Sequence, residues 1–159
     1  MDFFSTIFGK CLKTFFISMI PVIELRGAVP IAYGEYGLDI FTSVFVSILG
    51  NLLPVPFIII FVRKIFELIR KYIPKLDGII TRLEKRAENK SETVLKYAFW
   101  GLFVLVAIPL PGTGAWTGAL VAAMLDMRLK KAFPSIALGV IAAGIIVASV
   151  TLGADFLIF

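Results

Sequence analysis

Hydrophobic residues fill long unbroken stretches of this chain, and the charged positions gather between them. Three tracts carry no charge: Ile40–Val62, Tyr97–Leu125 and Ala132–Ala154, of 23, 29 and 23 residues. A helix needs about 20 mostly apolar residues to cross a hydrocarbon core of about 30 Å. Each tract meets that length. Fifteen charged residues, ten basic and five acidic, fall instead between Arg63 and Lys96. There Ile65, Leu68, Ile69 and Tyr72 recur at helical spacing, with Arg63, Lys64, Arg70 and Lys71 on the other side. Pro74 and Gly78 break that helix, and Leu76, Ile80, Leu83 and Ala87 begin a second periodic run. The segment reads as a cytoplasmic insert, amphipathic and basic, lying on anionic headgroups.

The tract Tyr97–Leu125 is not a simple span. Pro109 and Pro111 remove two backbone donors at its middle, and Gly112 and Gly114 follow, free to take positive φ. The flanking pieces, 97–108 and 113–125, have 12 and 13 residues. As helix they reach about 18–20 Å, too short to cross a bilayer. The tract therefore predicts a re-entrant hairpin with its tip near mid-membrane; the alternative is one kinked transmembrane helix.

The N-terminal segment has the same design. Phe3–Ile20 is helix-like, with Phe4, Phe8, Phe15 and Phe16 on a broad apolar face, and Pro21 to Pro30 follow. Lys10 and Lys13 ahead of an apolar stretch resemble a signal peptide, but no cleavage-type small-residue site follows, so the stretch is read as retained structure. Ile20-Pro21 aligns with Ile108-Pro109, and Leu38-Asp39 with Leu125-Asp126. Each half thus reads as hairpin, short polar turn and full span, with Asp39 and Asp126 capping the spans.

The positive-inside rule places both the Arg63–Lys96 insert and the turn bearing Arg128, Lys130 and Lys131 in the cytoplasm. The second hairpin then enters and leaves on the inner face and the first on the outer, although Lys10 and Lys13 run against the rule there. The predicted fold is an all-α, multi-pass integral protein of the cell membrane, a single membrane domain built as an inverted repeat. Its parts are a first re-entrant hairpin (1–37), a transmembrane helix (38–62), the basic insert (63–96), a second re-entrant hairpin (97–125) and a transmembrane helix (132–159).

Composition narrows the chemistry. The chain has 159 residues, 59% hydrophobic and 17% charged, with a mean hydropathy of +0.96. Soluble domains average about 45–50% apolar and about 25% charged. There is no histidine and a single cysteine, Cys11, so an internal disulfide and Cys–His metal sites are excluded. No nucleophile–base pair is visible, and the reading is a non-enzyme with no metal or cofactor. The basic cluster is short and mixed in sign, which argues for a lipid surface and against nucleic acid.

Glu24 and Arg26 are the opposite charges lying inside the first hairpin. By insertion scales each costs about 2.5–3.5 kcal/mol at a helix centre, so they should pair or face water. Glu24 can take up and release a proton, whereas arginine stays charged. They are candidates for proton coupling, or a structural ion pair. On the second hairpin Pro109, Pro111, Gly112, Thr113, Gly114, Trp116 and Thr117 offer backbone donors and hydroxyls at a half-helix N-terminus, a site for a polar or anionic group. The alternative is close packing by small residues at Gly114, Gly118 and Ala122. Asn51 is polar within a span and serves either the substrate or an interhelical hydrogen bond. Gly139, Gly144 and Ala148 give the last span a smooth face suited to a homodimer.

At these residues a resemblance appears. E-L-R-G-A-V-P-I-A-x-G (Glu24–Gly34) with P-L-P-G-T-G-A-W-T-G-A (Pro109–Ala119) resembles the small multidrug export protein family. That family is similar in turn to the DedA membrane proteins, whose two re-entrant hairpins face each other and carry a glutamate in the first and Pro-Gly-x-Arg in the second. Here Pro111-Gly112-Thr113 is followed by Gly114 in place of the arginine. The resemblance implies efflux of a small amphiphilic substrate, and with Glu24 as proton carrier the first reading is a proton-linked transporter with its site between the hairpins. The DedA likeness implies a flippase or scramblase for an anionic lipid such as a polyprenyl phosphate. A non-transporting scaffold, its hairpins holding a dimer together, is the third reading, and pH-dependent transport separates it from the first.

Overall fold

The computed structural model describes residues 6–72, 92–110 and 112–158. Residues 73–91 of the predicted insert, and Pro111, lie outside the described residues. Among the described residues seven helices follow in order: α1 (Ile7–Met19), α2 (Glu24–Gly34), α3 (Ile40–Leu52), α4 (Pro54–Tyr72), α5 (Glu92–Ala107), α6 (Ala115–Met124) and α7 (Leu129–Ile158). The chain is all-helical among the described residues.

Local chemistry sets the helix ends. Thr6 caps α1 by accepting the Gly9 N–H at 3.2 Å, and Asp39 caps α3 by accepting the Thr42 N–H at 2.8 Å. Gly37 takes φ 64° as the chain leaves α2, and the Leu38 N–H closes back on the Ala32 carbonyl. The charge-free tract Ile40–Val62 forms two helices rather than one. They part at Leu53, where Pro54 has no N–H for the Gly50 carbonyl and Pro56 none for that of Leu52. Even so, Ile40–Ile65 and Leu129–Phe156 are each long and apolar enough to cross a membrane, at 26 and 28 residues.

Two chain reversals shape the bundle. The Lys13 amine of α1 lies 5.6 Å from the centre of the Tyr36 ring just beyond α2, so α1 and α2 fold back on one another. Likewise Gly118 of α6 faces Val106 and Leu102 of α5, and a Cβ there would meet the Val106 side chain at 2.5 Å. The second reversal falls within 108–114, where the prolines and glycines placed it. The helix α1 packs on α3 and α5 on α7. Ser135 Oγ donates to the Phe99 carbonyl at 2.6 Å, and Gly139 lies against the Phe103 carbonyl and Val106. Four residues along one helix match four along the other, so α5 and α7 run parallel.

The halves also interlock: α2 rests on α7, and α6 on α4. The core between them joins Leu25 and Val29 of α2, Val55 and Ile59 of α4, and Ala119 and Ala122 of α6. Gly139 and Gly144, expected on a free dimer face, pack inside the chain, against Val106 and against Val44 and Ile48. Polarity is inverted relative to a soluble protein. Phe41, Phe57, Val22 and Phe156 are exposed, while Thr14, Ser18, Ser43, Ser47, Asn51 and Ser135 are buried. Such an exterior suits a hydrocarbon solvent.

Candidate functional site

The two reversals meet each other. Glu24 opens α2 with φ 49°, a left-handed conformation that a non-glycine residue holds only where its surroundings fix it. Its buried carboxylate accepts the Trp116 backbone N–H at 3.3 Å. Trp116 belongs to the first turn of α6, whose free N–H groups carry the positive end of the helix dipole. The half-helix N-terminus that the sequence offers to an anion therefore holds the protein's own Glu24. Gly114, with φ 128°, makes this possible, because a Cβ there would strike the Glu24 carboxylate.

Arg26 clasps the same turn from the side. Its guanidinium donates to the backbone carbonyls of Leu110 and Thr113, and to Thr113 Oγ1 at 2.9 Å. Glu24 Oε2 lies 3.8 Å away. The ion pair foreseen in the first hairpin exists, but the carbonyls of the other hairpin are the nearer partners of Arg26. A fork with several donors fits that task, since two carbonyls and a hydroxyl converge from one side. The Trp116 indole closes the contact by donating Nε1–H to the Met19 carbonyl at 3.1 Å.

Of the sequence candidates, Glu24, Arg26, Thr113, Gly114 and Trp116 come together in this joint. Thr113 Oγ1 also accepts the Leu110 N–H at 3.2 Å and lies within reach of the Ile108 and Leu110 carbonyls, so it fastens its own turn. Thr117 Oγ1 donates to the Gly112 carbonyl at 3.0 Å for the same end. Pro109 is half-buried and Gly112 exposed beside them; Pro111 lies outside the described residues. Asn51 is buried, and neither end of its amide has a hydrogen-bond partner. Small-residue packing explains Gly118, which admits Val106, but not Gly114, which admits a carboxylate.

Two contacts were not foreseen. Tyr33 of α2 donates to Asp155 Oδ2 of α7 at 2.9 Å. Arg63 of α4 donates to the Met127 carbonyl and stands 3.1 Å from Asp126 Oδ1. Asp39 caps its helix as expected, whereas Asp126 pairs with Arg63. No sequence pattern couples residues so far apart, although Tyr33 and Asp155 each stand out as polar groups among apolar neighbours.

The family model described as "Putative small multi-drug export protein" matches residues 24–146. The chain belongs to this family. Its match opens on Glu24, just after the first reversal, and runs through the second, so Glu24, Arg26 and the 110–116 turn lie within the part the family defines. Together with the two long apolar helices, this makes the small multi-drug export chain a membrane protein. Neither the curated proteins nor the solved structures contain a match to it.

Proposed function

We propose that this small multi-drug export protein is a proton-linked transporter of the cell membrane, with its site where two re-entrant hairpins meet. The observation that carries the reading is the Glu24 carboxylate held on the α6 N-terminus beside Arg26. Protonation removes the charge that both partners attract, so the joint loosens; loss of the proton draws the tips together again. Proton binding and opening of the site are then one event. The residues around it, Thr113, Trp116 and Thr117 with the exposed backbone at Gly112, supply the polar contacts that a small amphiphilic substrate needs as the tips part.

An inverted repeat is supported by one matched detail. Gly50 lies against the Phe15 carbonyl and Gly139 against the Phe103 carbonyl, each glycine about one span after its hairpin's first helix. The interlocked pairs α2 on α7 and α6 on α4 have the same relation. Opposed repeats meeting near the midplane are a common architecture of secondary transporters. The test is flux through purified protein in liposomes under an imposed pH gradient, comparing cationic amphiphiles with lipid phosphates. Flux of an amphiphile that Glu24→Gln abolishes supports the reading. Full flux with Glu24→Gln at every pH ends it.

A further inference from the structure

The joint leaves unexplained two rows of polar residues inside the bundle. Lys10, Thr14 and Ser18 recur every four residues on α1, and Asp39, Ser43, Ser47 and Asn51 do so from the cap of α3 inward. Each row follows one ridge of its helix. The rows meet, for Ser18 Oγ donates to the Ser47 carbonyl at 2.5 Å. Thr14, Ser18, Ser43, Ser47 and Asn51 are all fully buried, whereas Asp39 is exposed.

Three of the hydroxyls are satisfied: Thr14 donates to the Lys10 carbonyl and Ser43 to the Asp39 carbonyl, both at 2.9 Å, and Ser18 to Ser47. Ser47 Oγ and both ends of the Asn51 amide have no partner. Unpaired groups of this kind are costly in an apolar interior. An occupant that satisfies them must both donate and accept, because Asn51 presents an N–H₂ and a carbonyl side by side. Water does this; a bare cation or anion serves only one side. The matching seam between α5 and α7 has no unpaired buried polar atom among the described residues. There Ser135 is satisfied by Phe99, and Val140 follows Gly139 where Asn51 follows Gly50.

We propose that the α1–α3 seam is a water path, open at the Asp39 end and closed at Asn51 by the approach of Gly50 to the Phe15 backbone, which brings water up to the joint. Ser18 marks where the path nears the joint: its neighbour Met19 accepts the indole N–H of Trp116, whose backbone N–H holds Glu24, and a proton passes between water and the carboxylate when the joint loosens. Lys10 and Asp39 stand at the outer end of the path, and Glu24 with Arg26 beyond its inner end. Because no such unpaired group marks the opposite seam, Glu24 then exchanges protons toward the face on which the path opens. The use of the path rests on the proposed proton linkage; the path itself is tested apart from it.

The experiment places single cysteines at Asp39, Ser47, Asn51 and Val140 in a Cys11→Ser background, in sealed vesicles. Silver ion is added to one face, and its reaction is read as protection from later maleimide labelling. Ser47→Cys and Asn51→Cys should react from the same face as Asp39→Cys, within about tenfold of its rate, and Val140→Cys about 100-fold slower from either face. Adding Asn51→Leu to Ser47→Cys should slow the reaction about tenfold, and Asn51→Ser should not. Ser47→Cys as unreactive as Val140→Cys, or reactive from the opposite face, overturns the path. In flux, Asn51→Leu should slow pH-driven transport and Asn51→Ser preserve it. If the unaltered protein carries no flux, proton linkage falls while the labelling still decides the path.

Discussion

The Glu24 carboxylate fills the space that a side chain on Gly114 would occupy. A Cβ there would lie 2.7 Å from Glu24 Cδ and 2.8 Å from Oε1, at a position whose φ of 128° already disfavours any side chain. Gly114→Ala should therefore cost about 2–4 kcal/mol, from backbone strain and loss of the joint. Thermal unfolding in detergent measures it. Gly114→Ala with Glu24→Ala should recover only the steric part, so full recovery would show that φ does not matter here.

Arg26 has acceptors other than Glu24, which orders the outcomes of a double-mutant cycle. Glu24→Gln leaves the guanidinium on Leu110 and Thr113 and keeps an oxygen for Trp116, so stability should fall by about 1 kcal/mol or less. Arg26→Gln strands two carbonyls and should cost about 2–3 kcal/mol, because hydrogen bonds from charged donors are the stronger ones. Equal losses, rescued in the double variant, would mean the pair acts as a simple ion pair.

Two helical glycines should respond in opposite directions to alanine. Gly50 has the Phe15 backbone against it, and a backbone cannot turn aside, so Gly50→Ala should destabilise by about 1–3 kcal/mol. Gly101 in α5 has open space around it, and Gly101→Ala should stabilise by up to about 1 kcal/mol through helix propensity. Melting temperatures of the two variants that move together would contradict the close approach of α1 and α3.

If the second hairpin is re-entrant, Lys96 and Arg128 lie on one face of the membrane. Single cysteines at these positions, without Cys11, should be labelled by an impermeant thiol reagent from the same side. Labelling from opposite sides would make 97–125 a kinked span and remove the inverted repeat.

The Thr42 N–H holds the Asp39 carboxyl below its ordinary value of 3.8. A carboxylate depressed in the folded state contributes stability above its unfolded pKa and loses it as pH falls through the folded one. Asp39→Asn keeps a capping oxygen without titrating. Any advantage of the unaltered protein over Asp39→Asn should therefore shrink below about pH 4, as read from melting temperatures. An advantage that stays constant to lower pH would exclude the charge as its source.

The legible parts of this fold are those that short-range chemistry decides. Charge-free length gave the long helices, and Pro109 with Gly112 and Gly114 located a reversal without any knowledge of what it meets. Glu24 and Arg26 stood out because two charges in an apolar hairpin need partners. Their actual partners were hidden, since Leu110, Thr113 and Trp116 contribute mostly backbone groups, which every residue carries alike. Gly139 shows the opposite failure: smallness signals close contact, but the neighbour turned out to be Val106 within the chain. The break at Leu53 was written in Pro54 and Pro56, yet prolines inside a long apolar tract kink a single span as readily as they divide it.

The interlocking of α2 on α7 and α6 on α4 has a consequence for biosynthesis. When the first half leaves the ribosome, Arg26 has no carbonyls to hold and Glu24 no helix end to cap, because both lie some ninety residues downstream. Until then the two charges have only each other, and an ion pair with its remaining donors and acceptors unmet does not rest in lipid at low cost. The first hairpin must therefore wait, at the interface or within the insertion machinery, until residue 116 has been made and the second turn arrives to receive it.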